Sequence, residues 1–98
     1  MSAPAPVKQV LKVVEADQIV VRESGDGWDW LLLDDDDVVV AAAPRVITSI
    51  EELTTALCAV FDLKASPDYY LSRLRNRSLR EAESASRKRW YTVVFEEV

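Results

Sequence analysis

Four consecutive aspartates form the most acidic segment of the chain. Carboxylate oxygens are the ligands that Ca²⁺ and Mg²⁺ prefer, so a cation site is one interpretation of this run. It lacks the alternating spacing and distal glutamate of a calcium loop, however, and adjacent carboxylates point in different directions. We therefore predict no metal site here, and an exposed hairpin turn that either keeps the sheet soluble or contacts a partner. The candidate partner-binding residues are Asp34, Asp35, Asp36 and Asp37.

Basic residues are concentrated later in the chain, with seven between positions 73 and 89. Arg73, Arg77 and Arg80 have the spacing that places side chains on one face of a helix. The planar guanidinium group suits carboxylate and phosphate, so this face is a second candidate partner-binding surface. The alternative is a solvated helix face stabilised by ion pairs along the helix.

The chain contains no histidine and one cysteine, Cys58. These counts exclude metal sites built on imidazole, Ser-His-Asp and Cys-His nucleophiles, and an internal disulfide. Catalysis would need clustered carboxylates in a pocket, which nothing in the sequence predicts, so we expect neither enzymatic activity nor a cofactor. A lone cysteine, no signal peptide and no apolar run of about 20 residues favour a cytoplasmic location without membrane association.

The net charge of −5 is unevenly distributed. Residues 1–63 carry twelve acids and four bases, whereas residues 64–98 carry eight bases and five acids. The acidic balance disfavours direct nucleic-acid binding. Two oppositely charged regions favour a small non-enzymatic protein-binding module that contacts a protein partner or a second copy of itself. The alternative is an acidic inhibitor that mimics nucleic acid and blocks a nucleic-acid-binding protein, for example an anti-defence protein from a mobile element.

The strands that position these residues follow from apolar runs with a period of two. Strands are predicted at 7–14, 19–23, 28–33, 38–43 and 90–98, with residues 7–23 forming either two strands or one bent strand. Residues 1–6 read as a disordered leader and residues 7–98 as a single domain. Trp28, Trp30 and Leu32 should share one face of their strand, as core residues or as interface anchors.

Two helices are predicted between these strands. The first begins at Thr48 or Ser49, because either residue can form a capping box with a glutamate three positions later. Its apolar stripe comprises Leu53, Ala56, Leu57, Val60 and Phe61. The second opens with Ser66 and Pro67 and runs towards Ala85, with a thin apolar face after Leu74. The predicted fold is α+β, with an antiparallel sheet of about four or five strands, two helices packed on one face, and the order strands-helix-helix-strand.

Residues 19–63 resemble the small YegP-like domains of unknown function. The matching segments are the strand Trp28-Asp29-Trp30-Leu31-Leu32, the strand Val38-Val39-Val40-Ala41, and the helix from Thr48-Ser49 to Phe61. The resemblance implies a β-β-β-α unit that tends to pair with a second copy, and it implies no activity. This chain departs from the family pattern at the turn, where four aspartates replace an Asn-Gly pair.

Overall fold

Residues 17–97 are described by a computed structural model of the protein. The predicted leader at 1–6 and the predicted strand at 7–14 lie outside the described residues. The elements in chain order are β1 (Asp17–Ser24), β2 (Gly27–Leu33), β3 (Val39–Ala42), α1 (Ile50–Phe61), α2 (Pro67–Arg75), β4 (Glu81–Glu83) and β5 (Trp90–Glu97). The α+β class and the strands-helix-helix-strand order are confirmed. Neither described helix is long and apolar enough to cross a membrane.

The sheet has the strand order β3-β2-β1-β5-β4. Neighbouring strands run antiparallel except for β1 and β5, which are parallel. The sheet is therefore mixed, not antiparallel throughout as the sequence suggested. The parallel pair arises because the two helices carry the chain across one face before β5 returns beside β1 in the same direction.

The core lies between the two helices and one face of this sheet. The Phe61 ring of α1 packs edge-on against Trp30 and Tyr91, with ring centroids 5.1 and 5.0 Å apart. The helices contribute five buried hydrophobic residues to this core, namely Leu53, Leu57, Phe61, Tyr70 and Leu74. The predicted stripe of α1 is confirmed at three of these positions, but Val60 is 45% exposed, because it lies at the margin of the face that α1 turns to the sheet. Trp30 faces the core as predicted, with Trp28 and Leu32 packed against it.

The second helix is shorter than predicted. It ends at Arg75, and Ala82, which was expected on its inner face, is buried in strand β4 instead. The helix stops where its apolar face becomes thin, since few buried contacts beyond Leu74 would offset the entropy of ordering more residues. The segment after Arg75 is therefore a turn and a short strand, not a helical surface.

Candidate functional site

Arg77 stands in an unusual backbone conformation just after α2. The N–H of Ser78 donates to the carbonyl oxygen of Arg73 at 2.9 Å, and that of Arg77 to Leu74 at 3.2 Å. This is the Schellman pattern of helix termination, in which the left-handed residue is usually glycine. Arg77 takes that position with φ of 55°. A side chain in this region costs about 1 kcal/mol, so the arginine is held there against a local preference.

The Arg77 side chain reaches the end of the sheet. Its guanidinium group donates to the carboxylate of Glu23 and lies 5.5 Å from the centroid of the Trp28 ring. Glu23 and Trp28 face each other across β1 and β2. Trp28 is fixed by two backbone hydrogen bonds to Ile47, each 2.7 Å long. Because Arg77 contacts both β1 and β2, it joins the end of α2 to the sheet.

Arg80 lies beside an open part of β5. Its carbonyl oxygen accepts a hydrogen bond from the N–H of Val93 at 2.8 Å. Strand β4 pairs with β5 only as far as Thr92, so β5 beyond Val93 has no strand partner on this edge among the described residues. Since backbone N–H groups alternate between the two edges of a strand, the N–H of Phe95 points to the same open edge as that of Val93.

These side chains line two adjoining cavities of about 320 and 360 Å³. One follows the open edge of β5, the other lies over Trp28, and Arg77 and Phe95 belong to both. We define the arginine groove as Arg77, Arg80, Trp28, Phe95 and Glu23. The cavity over Trp28 is also lined by Glu96 and Glu97, so carboxylates as well as guanidinium groups border the groove. On the side of Arg77 and Arg80, guanidinium donors, a backbone N–H and aromatic surface can together hold a carboxylate attached to an apolar group.

The third arginine predicted from the sequence lies apart from this groove. Arg73 is on α2, where its guanidinium carbon lies 4.6 Å from the centroid of the exposed Tyr69 ring. The prediction that Arg73, Arg77 and Arg80 share one helical face is wrong, because only Arg73 belongs to the helix. The structure brings Arg77 and Arg80 together through the turn that follows α2.

The four aspartates form the turn between β2 and β3, which we call the aspartate turn (Asp34–Asp37). The Asp34 carboxylate accepts hydrogen bonds from the N–H groups of Asp36, at 2.9 Å, and Val38, at 3.0 Å. Carboxylate oxygens of Asp34, Asp35 and Asp36 lie within 4.8 Å of one another. Of these three carboxylates, that of Asp34 already accepts the backbone hydrogen bonds that form the turn. The hairpin turn is confirmed, with Asp35 to Asp37 exposed.

The aspartate turn and the arginine groove lie at opposite ends of the sheet. The turn is near Asp17, where β1 begins, and the groove is near Glu23, close to the end of β1. The six steps from Asp17 to Glu23 along an extended strand span roughly 20 Å. Asp17 pairs with Arg89 at 3.0 Å. Burial raises the pKa of Asp17, Arg89 lowers it, and the charges of Asp34 and Asp35 raise it further. The two predicted binding surfaces therefore do not form one site.

A further surface was not singled out from the sequence. Three consecutive valines at the start of β3 are about half exposed, and we call them the valine edge: Val38, Val39 and Val40. Val60 of α1 is also about half exposed, but it lines a separate cavity of about 230 Å³ with Pro44 and Ile47. The uncharged run from Val38 to Ala42 was the available signal, but the sequence does not tell an edge strand from a central one.

Comparison with known proteins found no matching family model, no similar curated protein and no similar solved structure. The YegP-like resemblance thus remains an expectation from the sequence.

Proposed function

We propose that this protein is a small, acidic, non-enzymatic protein-binding module whose arginine groove holds an extended acidic segment of a partner protein. The observation that carries the proposal is the position of the Arg77 side chain, which lines both adjoining cavities and contacts the Glu23 carboxylate and the Trp28 ring.

The groove fits an extended segment because it follows the open edge of β5. A partner strand laid along this edge could accept the hydrogen bond that the N–H of Phe95 offers, as in recognition by strand addition. A carboxylate of the same segment would then lie near Arg77 and Arg80, and an apolar side chain would pack against Phe95 and Trp28. Charge-assisted hydrogen bonds to arginine are stronger than neutral ones, which favours an acidic segment over a neutral one.

The Glu23 carboxylate forms an ion pair with the Arg77 guanidinium group, the same group that we propose binds the partner. The Glu23 side chain is 35% exposed and that of Arg77 46%, so their ion pair is accessible to solvent. Exposed ion pairs contribute about 0–1 kcal/mol, and a carboxylate of the partner can therefore replace Glu23 at little cost. This makes Glu23 an internal competitor of the partner.

The chemistry of the site favours binding over catalysis. Arginine stays protonated in proteins, so Arg77 and Arg80 can hold an anion but cannot exchange protons with it. The thiol of Cys58 is a poor nucleophile, because burial raises its pKa. The nucleic-acid mimic is the weaker alternative, since Asp29, one of the carboxylates that such a surface needs, is held by two hydrogen bonds of 2.8 Å from Arg22.

The test is an NMR titration of isotope-labelled protein with a short synthetic peptide of alternating glutamate and phenylalanine. Signals of Trp28, Arg77 and Phe95 should shift, and a matched peptide with glutamine in place of glutamate should bind at least about tenfold more weakly. Arg77→Gln should weaken binding of the acidic peptide by a similar factor. Glu23→Gln should strengthen it, because the internal competitor is removed.

Arg73→Gln is the matched control, since it removes an arginine from α2 outside the groove and should leave the affinity unchanged. Equal affinity of wild type, Arg77→Gln and Arg73→Gln would contradict the proposal. So would weaker binding by Glu23→Gln, because Glu23 would then support the ligand and not compete with it.

A further inference from the structure

Exposed hydrophobic side chains are grouped at the start of strand β3. Seven large hydrophobic side chains are exposed between residues 17 and 97, and the three that are consecutive in sequence form the valine edge. Isolated exposed hydrophobic residues need no explanation, but neighbouring ones on an open strand can mark an interaction surface. The valine edge is therefore a place where another protein surface is expected.

The two edges of the sheet are protected differently. Strand β4, at one edge, has three residues, two of which are glutamates. Short length and charge are the usual protection of a strand edge against pairing. Strand β3, at the other edge, consists of Val39, Val40, Ala41 and Ala42 and has no charged side chain. Its outer backbone groups have no strand partner among the described residues.

We propose that β3 pairs in the antiparallel direction with β3 of a second copy of this chain, across a twofold axis. Such a dimer joins two sheets into one and places the β3 valines of the two copies beside one another. It uses the sheet edge opposite to the arginine groove, so it is independent of the function proposed above. A twofold interface requires a surface that is complementary to itself.

The charges at the two ends of β3 provide this complementarity. The aspartate turn ends one residue before β3, and Arg45 comes three residues after it. Antiparallel pairing places the aspartate turn of each copy near Arg45 of the other copy, at both ends of the interface. Parallel pairing would place the two aspartate turns side by side, where like charges repel. The charge pattern thus selects a second copy in the antiparallel direction.

The strands in contact are short, so the dimer should belong to the class of small, weak interfaces. An interface below roughly 1,200 Å² corresponds to transient association, and we expect dissociation constants of about 10 μM to 1 mM. Sedimentation of the purified chain over that range of concentration measures the association directly.

Proline at position 42 tests the backbone pairing. The N–H of Ala43 donates to the carbonyl oxygen of Trp30 at 2.9 Å, so the N–H of Ala42 points away from β2 to the open edge. Ala42→Pro removes this outer donor and no hydrogen bond to β2. Each dimer loses two hydrogen bonds, which should weaken association about 30-fold. Ala42→Ser keeps the N–H and is the matched control, with association as in wild type.

Arg45→Glu tests the direction of pairing, because it places a negative charge beside the aspartate turn of the other copy and should weaken the dimer. Circular dichroism of each variant checks that the fold is retained. A wild type that sediments as a monomer at the highest concentration overturns the proposal, as does Ala42→Pro that associates like Ala42→Ser. Unchanged association of Arg45→Glu overturns the antiparallel arrangement. Peptide binding in the arginine groove should be the same in all these variants, so the two proposals fail separately.

Discussion

Replacing Arg77 with glycine and with alanine separates the cost of its backbone conformation from the contribution of its side chain. Both variants lose the ion pair with Glu23 and the contact with the Trp28 ring. They differ only in the Cβ atom, which the left-handed conformation of residue 77 makes unfavourable. The difference in unfolding free energy between the two variants therefore reports the backbone cost alone.

The expected difference is about 1 kcal/mol, with Arg77→Gly more stable than Arg77→Ala. Wild type should lie close to Arg77→Gly. Its exposed ion pair contributes about 0–1 kcal/mol and its cation–π contact about 0.5–1 kcal/mol, which together roughly offset the same backbone cost. An arginine at residue 77 thus brings little net stability, consistent with a role in binding.

The assay is urea unfolding followed by tryptophan fluorescence. With m-values of about 1–3 kcal/mol/M, a difference of about 1 kcal/mol moves the midpoint by roughly 0.3–1 M. Arg73→Gly and Arg73→Ala provide the control pair. Residue 73 is helical, so the order should be reversed there, with alanine more stable by about 0.8–1 kcal/mol.

If the alanine variant were more stable than the glycine variant at residue 77 as well as at residue 73, the reasoning would be refuted. It would mean that residue 77 continues the helix and that the arginine groove has a different shape in solution. Equal stability of Arg77→Gly and Arg77→Ala would also refute it, since residue 77 would then carry no backbone cost.

The same unfolding assay checks three other expectations. Leu57→Ala should cost about 2–5 kcal/mol, because Leu57 is 3% exposed, and a loss as small as that of Val60→Ala would contradict its place in the core. Asp37→Gly should raise the unfolding free energy by about 1 kcal/mol, because Asp37 has a left-handed φ of 62° that glycine adopts without strain. Replacing Asp35 and Asp36 with Asn-Gly should give no such gain in unfolding free energy, because that pair suits a turn of another type. Burial raises the pKa of Asp17, so the unfolding free energy of wild type should fall relative to that of Asp17→Asn as the pH rises above 3.8. A rise in this relative unfolding free energy would mean that the pairing with Arg89 outweighs burial.

The elements that were predicted correctly are those decided by local chemistry. Ser49 caps α1, and its hydroxyl accepts from the N–H of Glu52 at 3.1 Å. Ser66 and Pro67 open α2 in the same local way. Capping residues act within three positions of the chain, so the sequence alone reveals them. The end of α2 was missed because glycine, the usual sign of a helix end, is replaced by Arg77.

The parts that could not be predicted depend on residues far apart in the chain. Arg77 and Arg80 were recognised as candidates by residue type. They come close to Trp28 and Glu23 only because the turn after α2 packs on the sheet, which the sequence does not reveal. The valines of β3 were recognised as a strand, yet their exposure follows from the position of β3 at the sheet edge. Strand order is set by the packing of whole elements, which periodicity does not encode.

The parallel pairing of β1 with β5 has a consequence for how the chain folds as it is synthesised. Asp17 pairs with Tyr91 and Glu23 with Glu97, so the centre of the sheet joins the two ends of the described residues. While the ribosome is making α1 and α2, β1 lacks its neighbour β5 and Phe61 lacks the Tyr91 ring. Contacts between such distant residues slow folding, and an unpaired apolar strand is prone to aggregate. The nascent chain is therefore most vulnerable just before β5 emerges, and folding is completed only after translation of Trp90–Glu97.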